Sequence, residues 1–204
     1  MKHDVIIIKR VDTPQDVAFI TIDDGYKMAD ATMAVNLKLP VTLFLSVNAP
    51  AVFEHPDYFK QYLLPNQVPQ SHGAPHDDMR GKSILTQISE IKHAHDEITR
   101  IYGKTEPTYP QSPTLFRPPY GKYDDNTLTA IDEIGYEWMV LWSHYILGNE
   151  IRNSWHQPVT TTSIQRGDII LCHFEDDLNA QLELAITAIN DSGLTPAYLV
   201  DYLT

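Results

Sequence analysis

Short apolar segments alternate along this chain with longer segments of helical periodicity. Val17–Ile22 is largely apolar and lacks a clean alternation, which is typical of a strand covered on both faces in a parallel sheet. The pattern predicts seven strands: Val17–Asp23, Val41–Val47, Asn66–Ser71, Leu115–Arg117, Trp138–Trp142, Ile169–Phe174 and Ala197–Val200. It also predicts three clear helices: Ser83–Tyr102, Asp124–Ile134 and Asp177–Asp191.

Strands that alternate with helices pair in parallel through right-handed crossovers. The sequence therefore predicts an α/β protein whose sheet is either open or an incomplete barrel. No internal repeat, low-complexity tract or linker divides it, so we expect a single domain over residues 1–204. In both arrangements, functional residues lie at the carboxyl ends of the strands. The unusual polar residues occur at those ends: Asp23, Asp24, His72, Arg117 and His173.

The composition narrows the range of partners. A formal net charge of −12 and a sequence pI near 5.0 leave no basic stripe for a polyanion, so we expect no nucleic-acid partner. The same charge mildly disfavours strongly anionic glycans. The single cysteine, Cys172, rules out an internal disulfide, and its apolar strand predicts a buried structural thiol.

Export and membrane signals are weak in this sequence. The N-terminus, MKHDVIIIKR, has only four consecutive apolar residues between charges, which is too short for a signal-peptide core. No segment is long enough to span a bilayer. We therefore expect a chain without a membrane-spanning segment. The sequence leaves the compartment unknown: we expect the cell envelope or the exterior if a leader has been removed, and the cytoplasm otherwise. It also leaves the oligomeric state open.

The stretch SHGAPHDD places His72 and His76 four positions apart, a separation at which two imidazoles can meet at one metal ion. Gly73 and Pro75 exclude the continuous helix of the zinc-protease motif, so a strand-to-helix loop is the better context. A histidine pair can also simply form hydrogen bonds in the interior. A carboxylate from another strand end would favour the metal site.

Adjacent aspartates end the first predicted strand, where their repulsion requires a cation, an arginine or a shared proton. If Asp24 joins the two histidines, the set becomes His2Asp with open positions, as in a catalytic metal site. Asp23 then acts as a base on a water whose pKa the metal lowers. The alternative is that both acids cap a helix that begins near Lys27.

Two further strand ends carry candidate catalytic residues. In FRPPYG, residues 116–121, the prolines fix an extended turn, and the planar fork of Arg117 suits the Asp23 carboxylate. The strand GDIILCHF, residues 167–174, ends near His173, which could protonate a leaving amine. The alternatives are a surface arginine on a proline turn and a satisfied core histidine.

Four ordered motifs extend over nearly the whole chain: TIDDG at 21–25, HGAPH at 72–76, RPPYG at 117–121 and LCH at 171–173. Together they resemble the polysaccharide deacetylases, the NodB-like carbohydrate esterase family 4. The resemblance implies a distorted, incomplete (β/α) barrel with about seven parallel strands. It also implies a divalent metal, usually Zn(2+), with Co(2+) or another divalent ion as alternatives.

The resemblance also implies a role for each motif residue. Asp24, His72 and His76 hold the metal, Asp23 is the catalytic base and His173 the catalytic acid.

For the remaining positions, the resemblance implies that one residue orients the base and the others contact the substrate. Arg117 positions the base, and Tyr120 contributes to the oxyanion site through its backbone. Leu171 lines the acetyl pocket, and Trp142 forms a wall of that pocket.

The sequence departs from the family pattern in two motifs. Gly73 stands where the family usually has Ser or Thr, which predicts looser ligand geometry. The stretch VLWSHYILGN, residues 140–149, lacks the aspartate that tunes the catalytic histidine. Asp201 is then a candidate to support His173 instead, and His144 is a candidate to reach the site.

We therefore expect a metal-dependent hydrolase that removes N-acetyl groups from an acetylated oligo- or polysaccharide, such as chitin oligomers or peptidoglycan. Three alternatives stay open. These are O-acetyl ester hydrolysis on xylan-type glycans, a catalytically impaired carbohydrate-binding homologue, and a metal-dependent amidase acting on a small molecule.

Overall fold

The computed structural model describes residues 5–29, 32–64, 67–103 and 113–203. In these ranges the chain forms one sheet of eleven strands: β1 Ile6–Ile8, β2 Val17–Asp24, β3 Val41–Leu45, β4 Gln70–Ser71, β5 Leu115–Phe116, β6 Trp138–Val140, β7 His144–Leu147, β8 Glu150–Asn153, β9 Pro158–Val159, β10 Ile169–His173 and β11 Thr195–Ala197. The α-helices over the same ranges are α1 Thr32–Leu37, α2 Pro50–Glu54, α3 Pro56–Lys60, α4 Ile84–Tyr102, α5 Asp125–Ile134 and α6 Leu178–Asp191.

The sheet is mostly parallel and does not close. Its strand order is β1-β6-β5-β4-β3-β2-β10-β7-β8-β9, and β11 pairs with β2. Every pairing is parallel except β7 with β8 and β8 with β9. Within the described ranges no pairing joins β1 to β9. The α/β class and the incomplete barrel are therefore confirmed.

Nine strands of the described ranges take part in parallel pairings, somewhat more than the predicted count of about seven. β1, β7, β8 and β9 were not predicted, because each has four residues or fewer, which is too short for a clear pattern. The predicted strand Ala197–Val200 is displaced: β11 ends at Ala197, and Leu199–Tyr202 forms a 3-10 turn. Asn66, the predicted start of another strand, lies outside the described residues.

The three predicted helices are present with nearly the expected ends. Ser83 caps α4 by accepting a hydrogen bond from the Thr86 N–H, at 3.2 Å. Asp124 and Thr127 form a reciprocal capping box at the start of α5. The short helices α1, α2 and α3 were not predicted. Among the described residues, no helix is both long and apolar enough to cross a bilayer.

Alternation along β2 divides its side chains between two environments. Ala18, Ile20 and Ile22 belong to the large buried cluster that also contains buried residues of α6. Phe19 belongs to a second buried cluster, formed with residues of β3, β5, β6 and β10. Thr21 and Asp23 have the same parity as Phe19, so they continue this second face toward the carboxyl end of the sheet. This alternation places a carboxylate at that end of the interior.

Candidate active site

The chain turns sharply where β2 ends. Asp24 has a φ of +86° and Gly25 a φ of +102°, a region that side chains with a Cβ rarely adopt. A Cβ on Gly25 would lie 2.7 Å from Cγ2 of Val52, so only glycine fits there. The strained conformation of Asp24 lies at a candidate functional residue, where such strain is often found. Because α1 begins only at Thr32, the interpretation of the acids as caps of a helix near Lys27 is wrong.

Three side chains from two strand ends converge beyond this turn. Oδ1 of Asp24 lies 3.1 Å from Nε2 of His76 and 3.5 Å from Nε2 of His72. One potential ligand atom from each residue lies within 4.8 Å of the others. Nδ1 of His72 donates a hydrogen bond to the Arg117 carbonyl at 2.9 Å, since a carbonyl can only accept. In its neutral form, His72 therefore has its lone pair on Nε2, the nitrogen that faces Asp24.

This donor set fits a divalent metal ion. Oδ1 of Asp24 is buried, and although the Nε2 atoms of His72 and His76 lie near it, no described residue meets it with hydrogen-bond geometry. A buried carboxylate oxygen without a donor is costly unless a cation satisfies it. Two imidazole nitrogens and one carboxylate oxygen are ligands that zinc accepts, and three protein ligands leave a position open.

The loop from His72 to His76 is held on several sides. Gly73 has a φ of +80°, where glycine is the favoured residue, and its carbonyl accepts hydrogen bonds from Ser46 Oγ and the Val47 N–H. The ring of His76 packs edge-on against Tyr120, with 4.5 Å between centroids. Gly73 therefore replaces the usual Ser or Thr without preventing the histidines from converging.

Asp23 and Arg117 form a buried ion pair next to these ligands. Nη1 of Arg117 donates to Oδ1 of Asp23 at 2.6 Å and to Oγ1 of Thr21 at 2.9 Å. Both charged residues are almost fully inaccessible to solvent. Oδ2 of Asp23 lies 3.6 Å from Nε2 of His72. Oδ1 of Asp23 is thus held by Arg117, and Oδ2 faces the imidazole of His72.

The guanidinium of Arg117 is fixed by the rest of its surroundings. Nε donates to the carbonyl of Val140 at 3.0 Å, and Nη2 donates to the carbonyl of Leu141 at 3.2 Å. The group also lies over the ring of Phe44, 4.1 Å from its centroid. The alternative of a surface arginine on a proline turn is therefore wrong.

The electrostatics of the metal-free cluster follow from this packing. Burial alone would raise the pKa of Asp24, but the imidazoles of His72 and His76 hold it well below its usual range. Burial alone would lower the pKa of His72, but the carboxylates of Asp23 and Asp24 outweigh it and raise this pKa above 6.5.

We expect opposite pH trends for the metal-free and zinc-loaded protein. A raised His72 pKa stabilises the metal-free fold fully below pH 6.5, and this contribution is lost as the pH rises through the raised value. Zinc needs neutral imidazole, so it must displace this proton, and its affinity rises about tenfold per pH unit in the same interval. The melting temperature with zinc should therefore exceed that with chelator by a margin that grows with pH.

The control for this experiment is His93→Gln, which removes an exposed histidine of α4 that lies outside the cluster. This variant should keep the pH-dependent margin. A margin that stays constant from pH 6.5 upward would contradict the protonation of His72 in the metal-free state.

A cavity of about 350 Å³ collects eight of the nine predicted site residues. Its lining includes Asp23, Asp24, His72, His76, Tyr120, Trp142, Leu171 and His173. Arg117, the ninth, is buried and makes its ion pair with Asp23. The strand ends thus deliver the candidate residues to one place, as the parallel topology predicts.

The sequence missed two residues of this cavity, Tyr145 on β7 and His156 in the turn between β8 and β9. Their side chains are joined, with Tyr145 Oη 2.8 Å from His156 Nδ1. The signal that could have found them is the Gly-Asn pair at 148–149, which is typical of a hairpin turn. The position of His156 depends on the antiparallel return of the chain, which periodicity alone does not reveal.

Two suggested supporting residues lie elsewhere. Asp201 is exposed and lines a different cavity with Asp12 and its neighbours, so its expected support of His173 is wrong. His144 is buried with Nδ1 3.5 Å from Oδ2 of Asp168, and it does not line the 350 Å³ cavity. Burial holds the pKa of His144 below its ordinary value, although Asp168 opposes this.

Comparisons with known proteins place this geometry in context. The sequence profile of the family described as Polysaccharide deacetylase matches residues 10–139. An uncharacterized protein of Streptomyces coelicolor is 27% identical, over 97% of this chain and 77% of its own length. The peptidoglycan-N-acetylmuramic acid deacetylase PdaA of Bacillus subtilis is 23% identical, over 90% of this chain and 70% of its own length.

A solved structure shares the fold. It is a mutant of BA3943 from Bacillus anthracis, described as a CE4 family pseudoenzyme with restored enzymatic activity. The TM-score is 0.76 with 19% sequence identity, covering 98% of this chain and 71% of that chain.

Proposed function

The chain belongs to the polysaccharide deacetylase family, and from this premise we propose that it is a metal-dependent hydrolase that removes N-acetyl groups from an acetylated glycan. One observation carries the proposal. The ligand atoms of Asp24, His72 and His76 converge in the same cavity as Asp23, whose carboxylate is held by the buried Arg117. A sugar-binding protein without activity has no need of this second, arginine-bound carboxylate.

Asp24, His72 and His76 are the residues that would hold the ion. A divalent ion would supply Lewis acidity, which polarises a carbonyl and lowers the pKa of bound water to about 7. Zn(2+) suits two imidazoles and a carboxylate, and Co(2+) accepts the same ligands.

Asp23 accepts the proton of the attacking water in this mechanism. Its carboxylate is buried and accepts a 2.6 Å hydrogen bond from Arg117, which orients it. Water adds to the acetyl carbon, and the backbone N–H of Tyr120 donates to the developing oxyanion. Tyr120 lies on a turn with a φ of +60°, between Pro119 and Gly121.

His173 then protonates the leaving nitrogen as the C–N bond breaks, giving acetate and a free amino sugar. The residue ends β10 directly beside Asp23, its register partner on β2. Its backbone N–H donates to Oε1 of Gln181 at 3.0 Å, which fixes the end of the strand. Leu171 and Trp142 line the space in which the acetyl methyl group would lie.

Acetate release tests the proposal directly. We expect release from chitin oligomers or peptidoglycan fragments that falls to background with a chelator and returns when Zn(2+) is added. Release that is indifferent to the chelator would contradict metal dependence. No release from any acetylated glycan or ester would favour the impaired, carbohydrate-binding alternative.

O-acetyl ester hydrolysis is a second candidate because of the environment of His173. Within the described ranges, no carboxylate lies within 4.0 Å of its ring nitrogens. An alkoxide leaves more readily than an amine anion, so an ester needs less help from the acid. Comparing acetylated xylan with chitin oligomers of similar length separates the two candidates.

A further inference from the structure

A second cavity, of about 170 Å³, adjoins the candidate active site. The two cavities share Tyr120, Trp142 and His156 in their linings, so they form one continuous surface. Lys9 and Ser154 line only the second cavity. We call this second cavity the Lys9 subsite. A ligand in the active site that extends beyond the reacting group could enter it.

Lys9 gives this subsite a positive charge. Within the described residues, no carboxylate lies within 4.0 Å of its ammonium group. Nearby cations are already paired: Arg10 with Asp168, Lys122 with Asp78, and Arg152 with Glu150.

None of the residues that line the subsite is acidic. The net charge of −12 belongs to the whole surface, and salt screens charges beyond about 8 Å. The local potential at the subsite therefore favours an anionic group.

The loop that carries Ser154 and His156 is held in a specific conformation. His156 has a φ of +61°, which is unfavourable for a residue with a side chain. Its Nδ1 lies 2.8 Å from Oη of Tyr145, and its carbonyl accepts a hydrogen bond from Arg152 Nη1 at 3.1 Å. Oδ1 of Asn153 accepts from two backbone N–H groups of the same loop. The surrounding contacts thus offset the strain and fix His156 between the two cavities.

Aromatic side chains form part of the subsite surface, together with Gly121 and Leu141. Tyr120 and Trp142 form part of its lining, and Tyr120 is 57% exposed. Trp155, between Ser154 and His156, is 80% exposed and leaves an indole face in solvent. Aromatic faces suit the apolar faces of sugar rings, and an ammonium group suits a carboxylate.

We propose that the Lys9 subsite binds the sugar next to the deacetylated residue and selects a neighbour that bears a carboxylate. Lys9 contacts the carboxylate, Ser154 and His156 offer hydrogen bonds, and Trp142 packs against the ring. The inference rests on the proposed function, because it assigns the class of glycan to that same site.

The test compares Lys9→Gln with the unchanged protein on two N-acetylated oligosaccharides of equal length. One is a neutral chitin oligomer, and the other is a peptidoglycan glycan fragment whose alternate sugars carry a lactyl carboxylate. We expect the variant to raise KM about fivefold on the carboxylated glycan, with kcat unchanged and the neutral oligomer unaffected. The matched control is Lys38→Gln, which removes the same charge from an exposed position after α1.

Binding is measured in parallel by calorimetry on the Asp23→Asn background, where no turnover is needed. Weaker binding of only the carboxylated glycan by the Lys9→Gln form supports the subsite. Equal effects on both glycans, an equal effect of Lys38→Gln, or no effect at all would overturn it. If the unchanged protein releases no acetate, the proposed function fails, and calorimetry still decides whether the subsite prefers carboxylated glycans.

Discussion

The Asp23→Asn variant is expected to lose turnover by about 10²- to 10⁴-fold while it still binds zinc. Asparagine has nearly the same shape, and its oxygen can still accept the hydrogen bond from Nη1 of Arg117. It cannot accept a proton from water. The measurements are kcat for acetate release and the zinc affinity by titration calorimetry.

The contrast with Asp24→Ala sharpens this prediction. Removing the buried oxygen that lies 3.1 Å from His76 Nε2 should abolish both zinc binding and acetate release. Asp12→Asn, a change of the same type at an exposed position, should alter neither. Full activity in the Asp23→Asn variant would refute the assignment of the base. Loss of zinc in that variant would show that Asp23 is a ligand.

The Arg117→Met variant is expected to lower the free energy of unfolding by about 3–5 kcal/mol. Methionine fills much of the volume but leaves the buried Asp23 carboxylate without its cation. The carbonyls of Val140 and Leu141 lose their donors as well. Urea denaturation of the metal-free protein measures the difference directly.

A matched change shows whether burial causes the effect. Arg166 pairs with Asp16 at the surface, where both side chains are about half exposed or more. Arg166→Met should therefore change stability little. Arg117→Lys should be intermediate, because lysine keeps a charge but cannot reproduce the arginine fork. Equal stability of the Arg117→Met and Arg166→Met variants would contradict the structural role of the buried pair.

The sequence predicted the candidate site better than the edges of the fold. Asp23, His72 and His173 lie at or just after the ends of β2, β4 and β10, and parallel strands bring their carboxyl ends together. Such a site follows from local pattern and one topological rule. The alternation of β2 further directs Asp23 toward Arg117, whose guanidinium lies over the ring of Phe44.

The remainder depends on contacts that no local pattern contains. The strands of the hairpin of β7 and β8 have four residues each, which is too short for periodicity to identify them. His156 reaches the cavity only because the chain then turns back along β9, and its partner Tyr145 is eleven positions earlier. Lys9 follows the short edge strand β1 and is far in sequence from the other residues that line the Lys9 subsite. Such residues become visible only in the folded chain.

Arg117 touches both halves of the candidate site at once. Its carbonyl holds the ring of His72, while its guanidinium holds Asp23. Arg117, which is followed by two prolines, thus fixes the distance between the candidate ligand His72 and the candidate base Asp23. The distance between the candidate metal ligands and the candidate base is therefore fixed by a buried residue, so the loops around the cavity can differ in sequence without changing that distance.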